Sequence, residues 1–167
     1  MKKAVLFLIF NRTDTTQKVF GQIRVAKPPR LYIASDGSRE GRAGEKEAVE
    51  ELRKWVLENI DWDCQVKTLF REQNLGCGKA VSSAITWFFN QEADGIILED
   101  DCLPSQSFFN YCEELLDYYK EDKRIWHISG ANLLRTTDLE ESYYFSNFSI
   151  AGGGLVGQTG GQVMTLI

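Results

Sequence analysis

Apolar and polar positions along the chain fall into short continuous apolar runs separated by longer stretches of helical period. Ala4 to Phe10 is apolar throughout and of strand length. Asp14 can cap the helix that follows, with Gln17 three residues on, and Val19, Ile23 and Ala26 share one face before Pro28 and Pro29 end it. Leu31 to Ser35 is a second strand, closing on Asp36, Gly37 and Ser38. A polar loop leads to a helix from about Glu45 to Asn59, with Val49, Leu52 and Val56 on its stripe. Gln65 to Phe70 is a third strand. After the loop "NLGCG", a helix running to about Asn90 buries Val81, Ile85 and Phe88. Gly95 to Leu98 is a fourth strand. Ser105 can cap a helix carrying Phe108, Cys112, Leu115 and Tyr119, and Ile125 to Ile128 is a fifth strand.

Strand and helix therefore alternate over the first ~130 residues, the pattern of an α/β domain built on a mostly parallel sheet. Runs without apolar–polar alternation agree, because such strands are covered by helices on both faces. In open sheets of this kind ligands collect outside the carboxyl ends of the strands. Asn11 with Arg12, Asp36 with Gly37, the loop from Asn74 to Lys79, and Glu99, Asp100 and Asp101 all follow expected strand ends. They are expected to converge on one edge.

A length of 167 residues fits one domain, and the hydrophobic fraction of 43% is ample for its core. The net charge is −5 with no block of lysines and arginines, so binding to a nucleic-acid backbone is not expected. Cys64, Cys77, Cys102 and Cys112 form no CxxC pair, and with one histidine, His127, a zinc site is poorly supported. Reduced thiols in a cytoplasmic protein are the expectation. The opening "MKKAVLFLIF" mimics a secretory signal, but "NRTD" stands where a small-residue cleavage site belongs, so a buried first strand is preferred. No stretch approaches the ~20 apolar residues of a transmembrane segment.

The stretch "IILEDDCLP" aims three adjacent carboxylates from the end of a buried strand and closes on a proline. Like charges gain from proximity only when a cation sits among them. A solvated turn is the ordinary fate of such a cluster, but the buried strand before it and the stiff Leu103-Pro104 after it favour a ligand role. Hard cations such as Mg²⁺ or Mn²⁺ take carboxylate oxygens, and Mg²⁺ is commonly shared with substrate phosphates.

Together with "FNRTDTTQKVF", "NLGCGKAVSSAI" and "LEDDCLPSQSFFNYCEELL" followed by "RIWHISGAN", this motif resembles the nucleotide-diphospho-sugar transferases of the GT-A (Rossmann-like) fold. The likeness is to N-acetylglucosaminyltransferase I-type enzymes and to bacterial hemolytic-protein-like glycosyltransferases, over about residues 3–148. The resemblance implies a nucleotide-sugar-binding domain over 1–150. Its donor is a nucleotide-diphosphate sugar, UDP-linked by expectation, and its acceptor is an unknown glycan or other hydroxyl. A Mn²⁺ or Mg²⁺ ion would be held by Asp101, with Glu99 or Asp100 on the ribose or sugar. Asp36 would read the base or its ribose, Asn11 and Arg12 would border the nucleotide pocket, and Gly76, Gly78 and Lys79 would let backbone approach the nucleotide. A surface arginine, an ordinary loop-to-helix turn and a solvated lysine are the plain alternatives for Arg12, the glycines and Lys79. His127 fits a satisfied core or edge histidine, and Cys77 has no partner that marks a nucleophile. Ser129 to Asn132 could face the donor sugar, and Tyr143 to Phe145 fit a packed strand.

In the family a tryptophan-rich stretch and an acceptor-binding half with the catalytic base come next. Here "AGGGLVGQTGGQVM" stands instead, with neither helical nor strand period. Residues 151–167 are expected to be a disordered or aberrant Gly-rich tail, whose glycine, leucine, valine and methionine fit tryptophan codons read out of frame. The catalytic base is accordingly unassigned. A catalytically inactive sugar-nucleotide-binding fragment and a sugar-phosphate nucleotidyltransferase are the alternatives. The latter is disfavoured by "NRTD" where a Gly-rich basic loop belongs. A receiver-like Mg²⁺-binding module would need its acids after the first strand.

Overall fold

The computed structural model describes residues 1–122, 124, 125, 127–130 and 162–166. Among these, strands β1 (Val5–Ile9), β2 (Arg30–Ser35), β3 (Gln65–Phe70), β4 (Asp94–Glu99), β5 (His127–Ser129) and β6 (Gln162–Leu166) form one sheet. Its order is β3-β2-β1-β4-β6-β5, with every pairing parallel. Helices α1 (Thr13–Ala26), α2 (Glu45–Glu58), α3 (Cys77–Phe89) and α4 (Gln106–Tyr118) connect the strands. The α/β class with a parallel, Rossmann-like sheet is as the sequence pattern implies.

The continuous apolar runs are explained by two separate cores. Val5, Phe7 and Ile9 of β1, with Leu31, Ile33, Ile96 and Leu98, pack against Val19, Phe20 and Ile23 of α1, Leu52 and Val56 of α2, and Phe108, Phe109, Cys112 and Leu116 of α4. The residues between them, Leu6 and Leu8 with Tyr32, Ala34 and Ile97, pack on the other side against Ala84, Ile85, Phe88 and Phe89 of α3. Successive strand side chains point to opposite faces, so covering both faces requires every position to be apolar. Each large side chain buried this way contributes roughly 1.5–3 kcal/mol.

The chain moves outward from β1 to β2 and β3, then returns across the sheet to β4 on the far side of β1. Right-handed crossovers through α1, α2 and α3 put α3, after the change of direction, on the face opposite α1 and α2. The reversal also leaves a crevice outside the carboxyl ends of β1 and β4, which lie side by side with Leu8 opposite Glu99.

Three local details depart from the sequence reading. Helix α1 begins at Thr13, so Asp14 is not its cap but an acid in its first turn, where the helix dipole favours it. Ser105 does sit at the N-cap of α4, but its hydroxyl makes no cap bond and meets the Ser107 hydroxyl at 2.8 Å. Gln162–Leu166, in the segment expected to be a disordered or aberrant tail, forms a strand between β4 and β5. Its five residues are too short to show a period after so many glycines. Residues 151–161, Ala131, Asn132 and Tyr143 to Phe145 lie outside the described residues.

Candidate functional site

A cleft of about 430 Å³ opens over the carboxyl ends of β1, β2 and β4 and the start of α3. Its floor is apolar, made by Leu8 and Ala34 from the sheet and Ala80, Val81 and Ala84 from α3. Its rim is charged. Arg12, Arg39 and Arg71 supply guanidinium groups, and Asp36, Glu99 and Asp100 supply carboxylates. An apolar slot with a few convergent polar groups is the usual form of a small-molecule site.

The acidic triplet divides into three environments. Asp100 is buried, and one carboxylate oxygen accepts a hydrogen bond from the Phe10 N–H at 3.2 Å, tying β4 to the end of β1. Its other oxygen lies 3.6 Å from the Arg12 guanidinium. Burial raises its pKa, and the charge of Asp101 adds to the rise against the opposing pull of Arg12. Asp101 is exposed, forms an ion pair with Arg12, and accepts a weak hydrogen bond from the Cys102 thiol at 3.6 Å. Glu99 faces the cleft; burial first, then the charges of Asp101 and Asp100, push its pKa up. In return, Asp100 and Asp101 hold the Arg12 guanidinium more firmly protonated. Desolvation and the neighbouring acids push the Cys102 thiol up to about 12, which disfavours its thiolate.

Opposite the triplet, the ends of β2 and β3 are stitched together. Both oxygens of Asp36 accept hydrogen bonds from the Leu75 N–H at 3.0 Å, and one also accepts from Gly76 at 3.1 Å. The Asn74 amide donates to the Gly37 carbonyl at 2.7 Å. Gly76, the N-cap of α3, has φ 76° and ψ 154°, a conformation essentially confined to glycine. Arg53 of α2 donates to the Ser35 hydroxyl and to the carbonyls of Ser35, Asp36 and Arg71 at 2.8–3.2 Å, with its guanidinium over the Phe70 ring at 5.0 Å. Burial lowers the Arg53 pKa.

A third cluster holds the intervening loop. Glu45 is buried at the start of α2 and accepts hydrogen bonds from the Asn11 amide at 3.0 Å, the Arg39 N–H at 2.7 Å and the Arg39 guanidinium. The bonds from the Arg39 side chain and backbone, with the charges of Arg39 and Arg42, hold its carboxyl down at about 2. The Arg39 guanidinium also lies over the Phe10 ring at 5.6 Å.

The expected convergence is therefore present for Arg12, Asp36, Gly76, Glu99 and Asp100, all of which line the cleft. Four expected residues, Asn11, Gly78, Lys79 and Asp101, do not line it. Asn11 turns away to Glu45, Lys79 is exposed on α3, and Asp101 stands outside beside Arg12. His127 sits in β5, where burial lowers its pKa. Arg39, Arg53, Arg71 and Glu45 were not singled out from sequence. Arg71 alone carried a usable signal, since it directly follows the third strand.

Among the described residues, no three histidine, cysteine, aspartate or glutamate side chains are grouped to hold a metal ion. The carboxylates present suit an ion bound through one protein ligand and completed by phosphate oxygens, rather than a protein cage. Asp101 is the exposed carboxylate of the triplet, and Arg12 pairs with it. No helix among the described residues is long and apolar enough to cross a membrane. The chain matches no protein-family model and no curated protein.

Proposed function

We propose that this chain is the donor-binding domain of a glycosyltransferase that takes a nucleotide-diphosphate sugar together with Mn²⁺ or Mg²⁺. The observation that carries this reading is the cleft at the switch point of the sheet. An apolar slot suited to a flat base opens there beside three arginines suited to a diphosphate, with the β4 acids on its edge. The resemblance of "FNRTD", "NLGCG" and "LEDD" to the GT-A enzymes supports it independently.

In this reading Arg12, Arg39 and the first turn of α3 face the diphosphate, and Glu99 and Asp100 face the ribose or sugar. Asp36 holds the β3–α3 loop in shape, so its influence on the base is exerted through Leu75 and Gly76. A divalent ion, held by Asp101, would neutralise charge developing on the departing diphosphate. The acceptor is a hydroxyl compound, and no residue is assigned as its base.

Calorimetric titration with UDP, with and without Mn²⁺, tests the proposal. The wild-type protein is expected to bind UDP in a Mn²⁺-dependent manner. Asp101→Ala should abolish that dependence without changing the melting temperature of the free protein, since an exposed metal ligand contributes little to the fold. UDP binding of equal strength with or without metal, unchanged in Asp101→Ala, would overturn the metal role. Absence of any nucleotide binding would overturn the reading as a whole.

A further inference from the structure

Three guanidinium groups line the cleft, and two are already neutralised by the chain. Arg12 pairs with Asp100 and Asp101, and Arg39 with Glu45. Arg71 has no carboxylate partner among the described residues. One of its terminal nitrogens donates to the Ser83 hydroxyl at 2.7 Å. That hydroxyl in turn donates to the Lys79 carbonyl in the first turn of α3.

The backbone of Arg71 is fixed as well. Its N–H donates to the Ser35 carbonyl at 3.0 Å, and its own carbonyl accepts from Arg53 at 2.8 Å. Neutral groups thus hold a partly buried cation at the wall of a cavity. A guanidinium has five N–H donors, and a fork of this kind matches the paired oxygens of a phosphate or carboxylate. The ordering of a long side chain, ordinarily a cost of binding, is met in advance by Ser83.

We infer that Arg71 is a ligand-binding residue that receives an oxyanion in the cleft, a phosphate group of the nucleotide, and that Ser83 positions it. This rests on the proposed reading of the cleft as a nucleotide site. It adds the residue that supplies uncompensated positive charge there, which neither the acidic motif nor its flanking stretches indicate.

The test compares UDP, uridine and inorganic pyrophosphate, titrated in the presence of Mn²⁺ into wild type, Arg71→Ala, Arg71→Lys and Ser83→Ala. Arg71→Ala should weaken UDP and pyrophosphate by roughly 10- to 100-fold, the worth of hydrogen bonds to a charged group, and leave uridine unchanged. Arg71→Lys keeps the charge without the fork and should fall between. Ser83→Ala should weaken UDP several-fold while the cation remains. Should Arg71→Ala melt below the assay temperature, Arg71→Lys carries the same comparison. Equal UDP affinity in wild type and the Arg71 variants, or an equal loss for UDP and uridine, overturns the inference and leaves the nucleotide reading standing. Arg71-dependent binding of pyrophosphate without binding of UDP supports the inference and removes the nucleotide. Binding of neither probe to wild type removes both.

Discussion

Gly37→Ala is the substitution that most directly probes how the cleft is built. A Cβ at this buried position would lie 2.5 Å from the Gln73 carbonyl carbon, 2.6 Å from the Glu72 oxygen and 2.7 Å from the Glu72 carbonyl carbon. All three are backbone atoms, so no side chain can rotate out of the way. The loop after β2 must move from the loop after β3 by about 0.5–0.9 Å to restore a contact of 3.0–3.4 Å. That seam also contains the Asn74–Gly37 hydrogen bond and the three bonds from Leu75 and Gly76 to Asp36. Overpacking of this kind costs about 1–3 kcal/mol, and weakening a hydrogen bond adds about 1 kcal/mol.

A total near 3 kcal/mol is expected, which lowers the melting temperature of a chain of this size by about 6–12 °C. Gly21→Ala is the control. It lies inside α1 with nothing within 4 Å of the added methyl, so it should gain about 0.5–1 kcal/mol from helix propensity. Thermal melts followed by circular dichroism measure both. A Gly37→Ala protein melting within about 2 °C of wild type would mean that the two loops do not touch, and the account of the cleft wall would fail with it.

Two further outcomes follow from the charges. Glu45 is held at about 2, below its unfolded value. Its bonds to Arg39 therefore stabilise the fold above about pH 4.5 and lose that effect as pH falls toward 2. The difference in urea midpoint between wild type and Glu45→Gln should be constant above pH 5 and shrink toward pH 2. Glu99 is shifted the other way, so its charge at neutral pH weakens the fold. Glu99→Gln should raise the urea midpoint at pH 7, with the gain vanishing below pH 4, where the native carboxyl is already protonated. A lower midpoint at pH 7 would mean that Glu99 has a stabilising partner.

The parts of this architecture written in local sequence were legible, and the parts written in contacts between loops were not. Apolar runs at Ala4 to Phe10 and Gly95 to Leu98 announce strands because both of their faces are buried. The rule that ligands gather at strand carboxyl ends then places Arg12, Asp36, Glu99 and Asp100 near one another. What no local pattern reveals is which donor each carboxylate will find. Asp36 meets Leu75 and Gly76, 39 and 40 residues away, and Asn11 meets Glu45, 34 residues away. Such pairings depend on where loops cross, and one displaced loop redirects every side chain on it. For the same reason nothing in the local sequence marks Arg39 or Arg53. The β6 strand escaped notice because five residues with neighbours on both sides need no period of their own.

The three acids that end β4 can now be separated by what it would take to free each. Asp100 is fixed by the Phe10 N–H and is only 11% exposed at its side chain, so removing its partners would strand a buried charge. At Glu99, burial and the neighbouring acids disfavour the charged form. Asp101 differs from both. Its side chain is 45% exposed and that of Arg12 is 58% exposed, and ion pairs so open to water contribute roughly 0–1 kcal/mol. A divalent ion arriving on a diphosphate would therefore meet little resistance in taking Asp101 from Arg12. The released guanidinium would stand at the cleft wall, where its charge is favourable to the same diphosphate. The cation among the acids in the free protein is thus Arg12, and its hold on Asp101 is weak; under the proposed function, that weak hold is what lets a metal ion take its place.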